Sequence, residues 1–312
     1  MSFNEPPIDG AINDLSALQA SLAQTIERRT RNQEGDCSTA IGNLLLFRRN
    51  APSEPCACLV EPSIVLVAQG AKQLLIGDKV YAYNANHFLI TSLNHPASSQ
   101  ILEASPEQPC LGLVLKLNLS VTTELIAQTR QQPPRERGGE ESAVIGTVDS
   151  RFLQAFARLM ALLDEPTSIE VLAPLIEREI HFRLLQSDIA PRLLQIVTVG
   201  SQSQRIGRAI DWLKAHYDQP LRVENLAAHV QMSTSSLHHY FRTLTAKSPL
   251  QYQKWLRLNE AKRLMINHNL EAAQAAYKVG YESPSQFSRE YSRLFGASPK
   301  KDILLMRQQQ NG

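Results

Sequence analysis

No run in the sequence approaches the roughly 18 to 20 apolar residues that a membrane-spanning helix needs. Met1 to Gly10 carries Glu5 and Asp9 where a secretory leader would place basic residues ahead of an apolar block. No membrane partner is expected, and the chain is read as cytoplasmic. Cysteine is scarce: Cys37, Cys56, Cys58 and Cys110 make neither a disulfide framework nor a repeated C-x-x-C metal pattern, which fits a reducing compartment. Clustered histidine is missing from the strand-rich region, where His87 and His95 stand alone and eight residues apart. Neither a metal site nor a cofactor is expected there. A nucleophile with its base and a phosphate-cradling loop are also lacking, so no catalytic residue is assigned.

What is present is enough chain for two domains, since 312 residues exceed the usual single-domain length. The net charge of +2 hides a division near Ser201. From there to Gly312 there are 16 Lys and Arg against 8 Asp and Glu, or +8, while the remainder carries 16 against 22, or −6. A basic domain joined to a mildly acidic one suggests that the C-terminal part alone faces a polyanion. The expected domains are residues 1–200 and 201–312, with Val199 to Gln204 (VGSQSQ) as the junction.

The first domain opens with Ile12, Leu15, Leu18, Leu22 and Ile26 at the three- and four-residue spacings of an amphipathic helix. Short runs rich in Val, Ile, Leu and Tyr follow from about Leu44 to Leu117: SIVLVAQ (63–69), KQLLIG (72–77), KVYAY (79–83), HFLIT (87–91) and CLGLVLKL (110–117). Gly77 and Asp78 read as a hairpin turn, and the succession of strands predicts an antiparallel sandwich or barrel. Gln131 to Glu141 (QQPPRERGGEE) reads as a loop. Two helices are predicted beyond it, striped by Phe152, Phe156, Leu159 and Leu163 and by Leu172, Leu175, Ile176 and Ile180. Their apolar faces suit either the barrel or a second subunit, so both packings stand open.

The second domain nearly repeats itself. Ala227, Val230, Ser233, Leu237, Phe241, Leu244, Ser248 and Pro249 return as Ala276, Val279, Ser283, Phe287, Tyr291, Leu294, Ser298 and Pro299. The offset is 49 residues before the serine and 50 from it onward, so the added residue falls at a turn. Each copy reads as a helix, a tight turn and a second helix, spanning about 222–245 and 271–296. Ser233 and Ser283 are placed to cap the second helices, and Pro284 to take a first helical position. In each second helix the apolar residues go inward. Ser235, Ser236, His238, His239 and Arg242 then face outward in one copy, and Ser285, Gln286, Ser288, Arg289 and Arg293 in the other. Between the units Leu250 to Ile266 forms a helix of about 25 Å at 1.5 Å per residue. That length holds two heads at a separation comparable to one turn of DNA, roughly 34 Å.

The stretch from Ala275 to Pro299 (AAYKVGYESPSQFSREYSRLFGASP) resembles the signature of the AraC/XylS regulators, and the likeness extends over Gln204 to Arg307. It implies an all-α DNA-binding domain of seven helices, with one recognition helix per unit. Base-contact roles carry over to Ser235, His238 and His239 and to Ser285, Gln286 and Arg289. Arg242, Lys247, Arg293 and Lys300 suit phosphate neutralisation. The sequence departs from the pattern at Gln231, where the first turn favours Gly, and the His238–His239 pair makes an unusual reading surface.

Glu61 to Gly70 and Gly77 to Tyr83 resemble the cupin-like N-terminal domain of one branch of the same family. The expected fold class is therefore α+β and multi-domain, a cupin-like β-barrel with flanking helices followed by two helix-turn-helix motifs on a linker helix. The implied protein is a regulator, read as an activator, whose partners are double-stranded DNA, RNA polymerase, a small-molecule effector and a second copy of itself. Cys56 and Cys58, if extended, share one face of a strand. With Cys110 they are candidate sensors of an electrophile by thiolate attack; burial as inert apolar cysteines is the competing reading. A cupin metalloenzyme with an accessory DNA-binding domain and a ligand-independent DNA binder are the alternatives.

Overall fold

The computed structural model describes residues 8–129, 142–197 and 201–310. The expected loop at 131–141 and the first two residues of the expected junction, 199–200, lie outside the described residues, as does the side chain of Ile12. The chain forms two compact units, Met1–Gln204 and Arg205–Gly312.

The first unit begins with helix α1 (Ile8–Thr30). Strands follow at β1 (Gly35–Ser38), β2 (Leu44–Arg49), β3 (Cys56–Val60), β4 (Ser63–Gln69), β5 (Ala71–Ile76), β6 (Lys79–Asn84), β7 (His87–Thr91), β8 (His95–Glu103) and β9 (Cys110–Lys116). Helix α2 (Leu119–Thr129) and strand β10 (Ala143–Thr147) precede α3 (Ser150–Ala161), α4 (Pro166–Leu184) and α5 (Ala190–Val197). Among the described residues the strands make two antiparallel sheets. A six-stranded sheet runs β1-β2-β9-β4-β7-β10, and a four-stranded one β3-β8-β5-β6. Ile76 pairs with Lys79 across the Gly77–Asp78 turn, as the sequence predicts.

The long apolar runs have a direct cause in this layering. In β4, Ile64, Leu66 and Ala68 face a helical layer while Val65 and Val67 face the second sheet. In β9, Leu111, Leu113 and Leu115 join the helices, whereas Cys110 faces the second sheet. A strand covered on both faces needs apolar residues at every position, and period-two alternation disappears from its sequence. The four-stranded sheet has one open face. In β6, Tyr81 and Tyr83 point in and Val80 points to solvent.

The helical layer is built by Leu22 and Ile26 of α1, Phe152, Phe156 and Leu159 of α3, and Ile180 and Leu184 of α4. Phe152 contacts Phe88 and Phe156 with ring centroids 4.8 and 5.1 Å apart. The packing of α3 on the sheet is thus intramolecular. Helix α4 departs from its expected stripe: Ala173, Ile180 and Leu184 set the buried face, which turns Leu172 and Leu175 outward, 39% and 62% exposed. Val171 beside them is 68% exposed.

The second unit carries α6 (Gln202–Ala215), α7 (Val223–His229), α8 (Thr234–Thr245), α9 (Pro249–Asn267), α10 (Ala272–Lys278), α11 (Pro284–Phe295) and α12 (Pro299–Gln310). Residues of α9, α10, α11 and α12 share one apolar core around Phe287 and Tyr291. The linker helix α9 starts in a capping box of Ser248 and Gln251, with Pro249 in its first turn.

His95 is fully buried in the first unit, and burial pushes its imidazole down to about 4 from the usual 6.5. The neutral ring is the folded form, so the stability held above pH 6.5 drains as the pH falls to about 4 and levels off below. The expected loss is about 3 kcal/mol, joined by a same-sign contribution from buried His181, also lowered by burial. Denaturant titrations at pH 7, 5 and 4 should show a shallower pH dependence in His95→Leu than in the parent; parallel curves for the two proteins refute the assignment.

Candidate nucleic-acid interface and ligand cavity

Both second helices of the repeat are built alike. Ser233 Oγ accepts the backbone N–H of Ser236 at 3.1 Å, and Ser283 Oγ accepts that of Gln286 at 3.3 Å. Each hydroxyl fixes where its helix begins. Leu237, Phe241 and Leu244 are buried in α8; Phe287 and Tyr291 are buried in α11, with Leu294 partly so. Anchored on those faces, α8 exposes Ser235, His238, His239 and Arg242, and α11 exposes Ser285, Gln286, Arg289 and Arg293. Lys247 is half-buried in the turn after α8, and Lys300 is exposed in the first turn of α12.

The turns show how the copies diverged. Gly280 (φ +86°) and Gly296 (φ +77°) hold left-handed backbone before and after α11. The corresponding positions around α8 are Gln231 (φ 56°) and Ala246 (φ 58°), which adopt the same conformation with a Cβ. A Cβ at Gly280 would lie 2.1 Å from the Asp218 carbonyl oxygen, so this glycine is required for space as well as torsion.

The second unit is also keyed by polar groups. Glu290 Oε1 accepts from Lys254 Nζ at 2.8 Å and Gln286 Nε2 at 3.3 Å, and its Oε2 accepts from Tyr281 Oη at 2.7 Å. Burial works to raise this carboxyl, but the three donors outweigh it and hold it below the usual carboxylate range. Gln286 therefore rests on Glu290 while remaining exposed. Asp302 Oδ2 accepts from Tyr291 Oη at 2.7 Å and pairs with Lys262 Nζ at 2.8 Å. Arg257 Nε and Nη2 donate to the carbonyls of Tyr217 (2.6 Å) and Gln219 (3.0 Å), and its Nη1 to that of Gly280 (2.8 Å). The repeat did not single out Glu290, Asp302 or Arg257, because the first copy holds Tyr240 and Tyr252 in place of the two carboxylates. There Phe241 meets Tyr252 ring edge to face, 5.5 Å between centroids.

Between the two sheets of the first unit lies a cavity of about 650 Å³, a volume that suits a small ligand. Phe47, Val65, Leu74, Leu89, Ile101 and Val114 supply apolar wall, and Lys72 and Tyr83 line it too. No sequence period marks these positions, which come from strands distant in the chain. Cys56 and Cys58 both line the cavity, as alternation along β3 requires, whereas Cys110 lies in the core at 0% exposure. Burial raises the Cys58 thiol, and it raises Cys110 to about 11. Both are held as thiols, which opposes thiolate attack from either one; Cys56 is exposed. His87 is hydrogen-bonded to Asn84 Oδ1 at 3.0 Å. Among the described residues no group of three or more His, Cys, Asp or Glu is placed to hold a metal, and no helix is long and apolar enough to cross a membrane.

Residues 40–192 match the AraC-type transcriptional regulator N-terminus, and residues 226–302 match a helix-turn-helix domain. The chain belongs to the AraC/XylS family. It is 27% identical over 144 residues to the HTH-type transcriptional regulator ArgR of Pseudomonas aeruginosa, covering 46% of this chain and 44% of that one. It is 33% identical over 110 residues to CdhR of the same organism (35% and 33% covered). The transcriptional activator RhaS of Escherichia fergusonii is 26% identical over 155 residues (49% and 55% covered). The chain thus spans between a third and just over half of the length of these relatives. ToxT from Vibrio cholerae O395, solved bound to (E)-4-(8-methylnaphthalen-1-yl)but-3-enoic acid, matches in fold with a TM-score of 0.56 at 10% identity, covering 83% of this chain and 97% of that one.

The torsions of the repeat make a direct prediction. Gln231→Gly and Ala246→Gly should each stabilise the protein by about 1 kcal/mol, and Gly280→Ala should destabilise it by about 2 kcal/mol or more. Thermal unfolding of the three variants checks both signs.

Proposed function

We propose that this family member is a sequence-specific DNA-binding transcription regulator whose first unit answers to a small molecule held in the cavity between its sheets. The observation that carries the reading is the pair of helices α8 and α11, each capped by serine, buried on one face and polar on the other, within the unit of charge +8. A recognition helix of this build places its N-terminal side chains against base edges in the major groove. Ser235, His238 and His239 take that role in α8; Ser285, Gln286 and Arg289 take it in α11. Arg289 is suited to bidentate recognition of guanine, and Gln286 to adenine once it leaves Glu290. Arg242, Lys247, Arg293 and Lys300 neutralise phosphates and set register. Helix α9 has 19 residues, about 28 Å of rise, which spaces two heads for successive grooves on one duplex face.

The exposed Val171, Leu172 and Leu175 of α4 give the reading a homodimer contact, since an apolar group of this kind gains by covering. RNA polymerase is the partner through which bound DNA would be converted into activation, and the cytoplasm is where the two meet. No catalytic step is assigned.

Selection of duplex DNA by the purified full-length protein, followed by sequencing, tests the proposal. Enriched sites should contain two short blocks about one helical turn apart. Arg289→Ala should relax selection at one base pair and cost about 1 to 3 kcal/mol of specific affinity. Lys300→Ala should weaken all sequences alike and lower the salt slope by about one. Unchanged affinity and site preference in Arg289→Ala would remove that residue from the base-reading set.

A further inference from the structure

The charged groups lining the cavity balance. Arg49, Lys72 and Lys116 face Glu34, Asp36 and Glu61. Arg49 Nη2 is paired with Asp36 Oδ1 at 2.7 Å, and Lys116 Nζ with Glu61 Oε2 at 3.1 Å. Glu34 Oε1 accepts the backbone N–H of Asn50 at 3.1 Å. Among the described lining cations, Lys72 is the one with no carboxylate partner, and its ammonium group lies over the Phe47 ring, 4.6 Å from the centroid. A wall of three cations and three anions, two of each already paired, has no excess charge to offer an anionic ligand. What it offers is an amine in apolar surroundings. Burial first, and the Arg49 charge second, pull the Lys72 amine down from its usual range, the two influences that make a lysine nucleophilic toward carbonyl carbon. The register adds a second group: Tyr83 on β6 stands directly opposite Lys72 on β5 and lines the same cavity. Burial raises the Tyr83 phenol, so it stays protonated and able to donate a hydrogen bond to a carbonyl oxygen.

We propose that Lys72 captures an aldehyde with an apolar body as a Schiff base, with Tyr83 as the neighbouring hydrogen-bond donor that polarises the carbonyl. This rests on the reading of the cavity as the small-molecule site. The Nζ lone pair forms a bond to the carbonyl carbon while the carbonyl π pair moves to oxygen, which takes a proton from the nitrogen. Loss of that hydroxyl with the nitrogen's remaining proton, as water, leaves the C=N bond; nothing is oxidised or reduced. Reversal by water makes the capture responsive to aldehyde concentration. The thiols are not needed for it.

Full-length protein treated with hexanal and sodium cyanoborohydride, then digested and mapped by mass spectrometry, tests the capture. The hydride fixes any imine as a secondary amine. Lys72 should be alkylated at least tenfold faster than the exposed Lys79 and Lys301, Lys72→Met and Lys72→Arg should lose the fast site, and Cys58→Ser should keep it. Tyr83→Phe should slow it severalfold. Thermal unfolding of Lys72→Met and Lys72→Arg establishes that they fold, and the wild-type comparison stands without them. Labelling of Lys72 no faster than of Lys79 and Lys301 overturns the proposal. Thermal shifts with hexanol and hexanoate separate it from the parent reading. Stabilisation by either, with no preferred labelling, keeps the cavity as a ligand site and overturns capture. No shift with hexanol, hexanoate or hexanal, and no preferred labelling, overturns both.

Discussion

The six-stranded sheet is covered on both faces, and much of the first unit follows from that requirement. Its central strands must be apolar at consecutive positions, because one face meets helices α1, α3 and α4 and the other meets the second sheet. Helices flanking the strands are therefore structural necessities, since an uncovered face of Leu111, Leu113 and Leu115 would expose a large apolar area to water. The second sheet has a different task. It closes over the first without filling the space between them, and the unfilled volume is the cavity. Scaffold and cavity wall share the same strands: Leu113 and Leu115 of β9 hold the helices, while Val114 between them lines the cavity.

The second unit shows how a duplicated module diverges while keeping its outline. The serine caps, the buried aromatic in each recognition helix and the Pro that opens the following helix are common to both copies. The differences lie in what fixes each helix. In the second copy Glu290 and Asp302 bind groups of the linker helix, and glycines relieve both turns. In the first, aromatic packing and two left-handed residues with a Cβ serve in their place. Polar locks are directional and apolar contacts are not, so the orientation of α11 on α9 is specified more tightly than that of α8.

Where structure depends on local pattern, the sequence already carries it. Repeat spacing and cap residues are properties of neighbouring residues, and they place the second helix of each repeat, its outward side chains and the hairpin at Gly77–Asp78. The misplaced stripe of α4 arose because Leu172 and Leu175 fit helical spacing as well as Ala173 and Ile180 do; a pattern of apolar residues on several sides of a helix does not say which side is covered. The cavity was invisible for another reason. Lys72 and Tyr83 are paired by the Gly77–Asp78 hairpin, but Arg49 of the other sheet and Cys58 of β3 reach the cavity from distant parts of the chain, and no period or motif links them to it. Cys58 and Cys110, two of the three candidate sensor cysteines, likewise carry no sequence mark of the burial that raises their thiols.

The contacts of residues 217–219 bear on how the two heads are held together. This segment follows α6 and precedes the first repeat, yet Tyr217 and Gln219 are gripped by Arg257 of the linker helix, and Asp218 lies against Gly280 at the turn of the second repeat. The chain thus reaches the second head before it has entered the first. The second head is therefore tied to the turn after α6 as well as to the linker helix, by a link that does not run through α8.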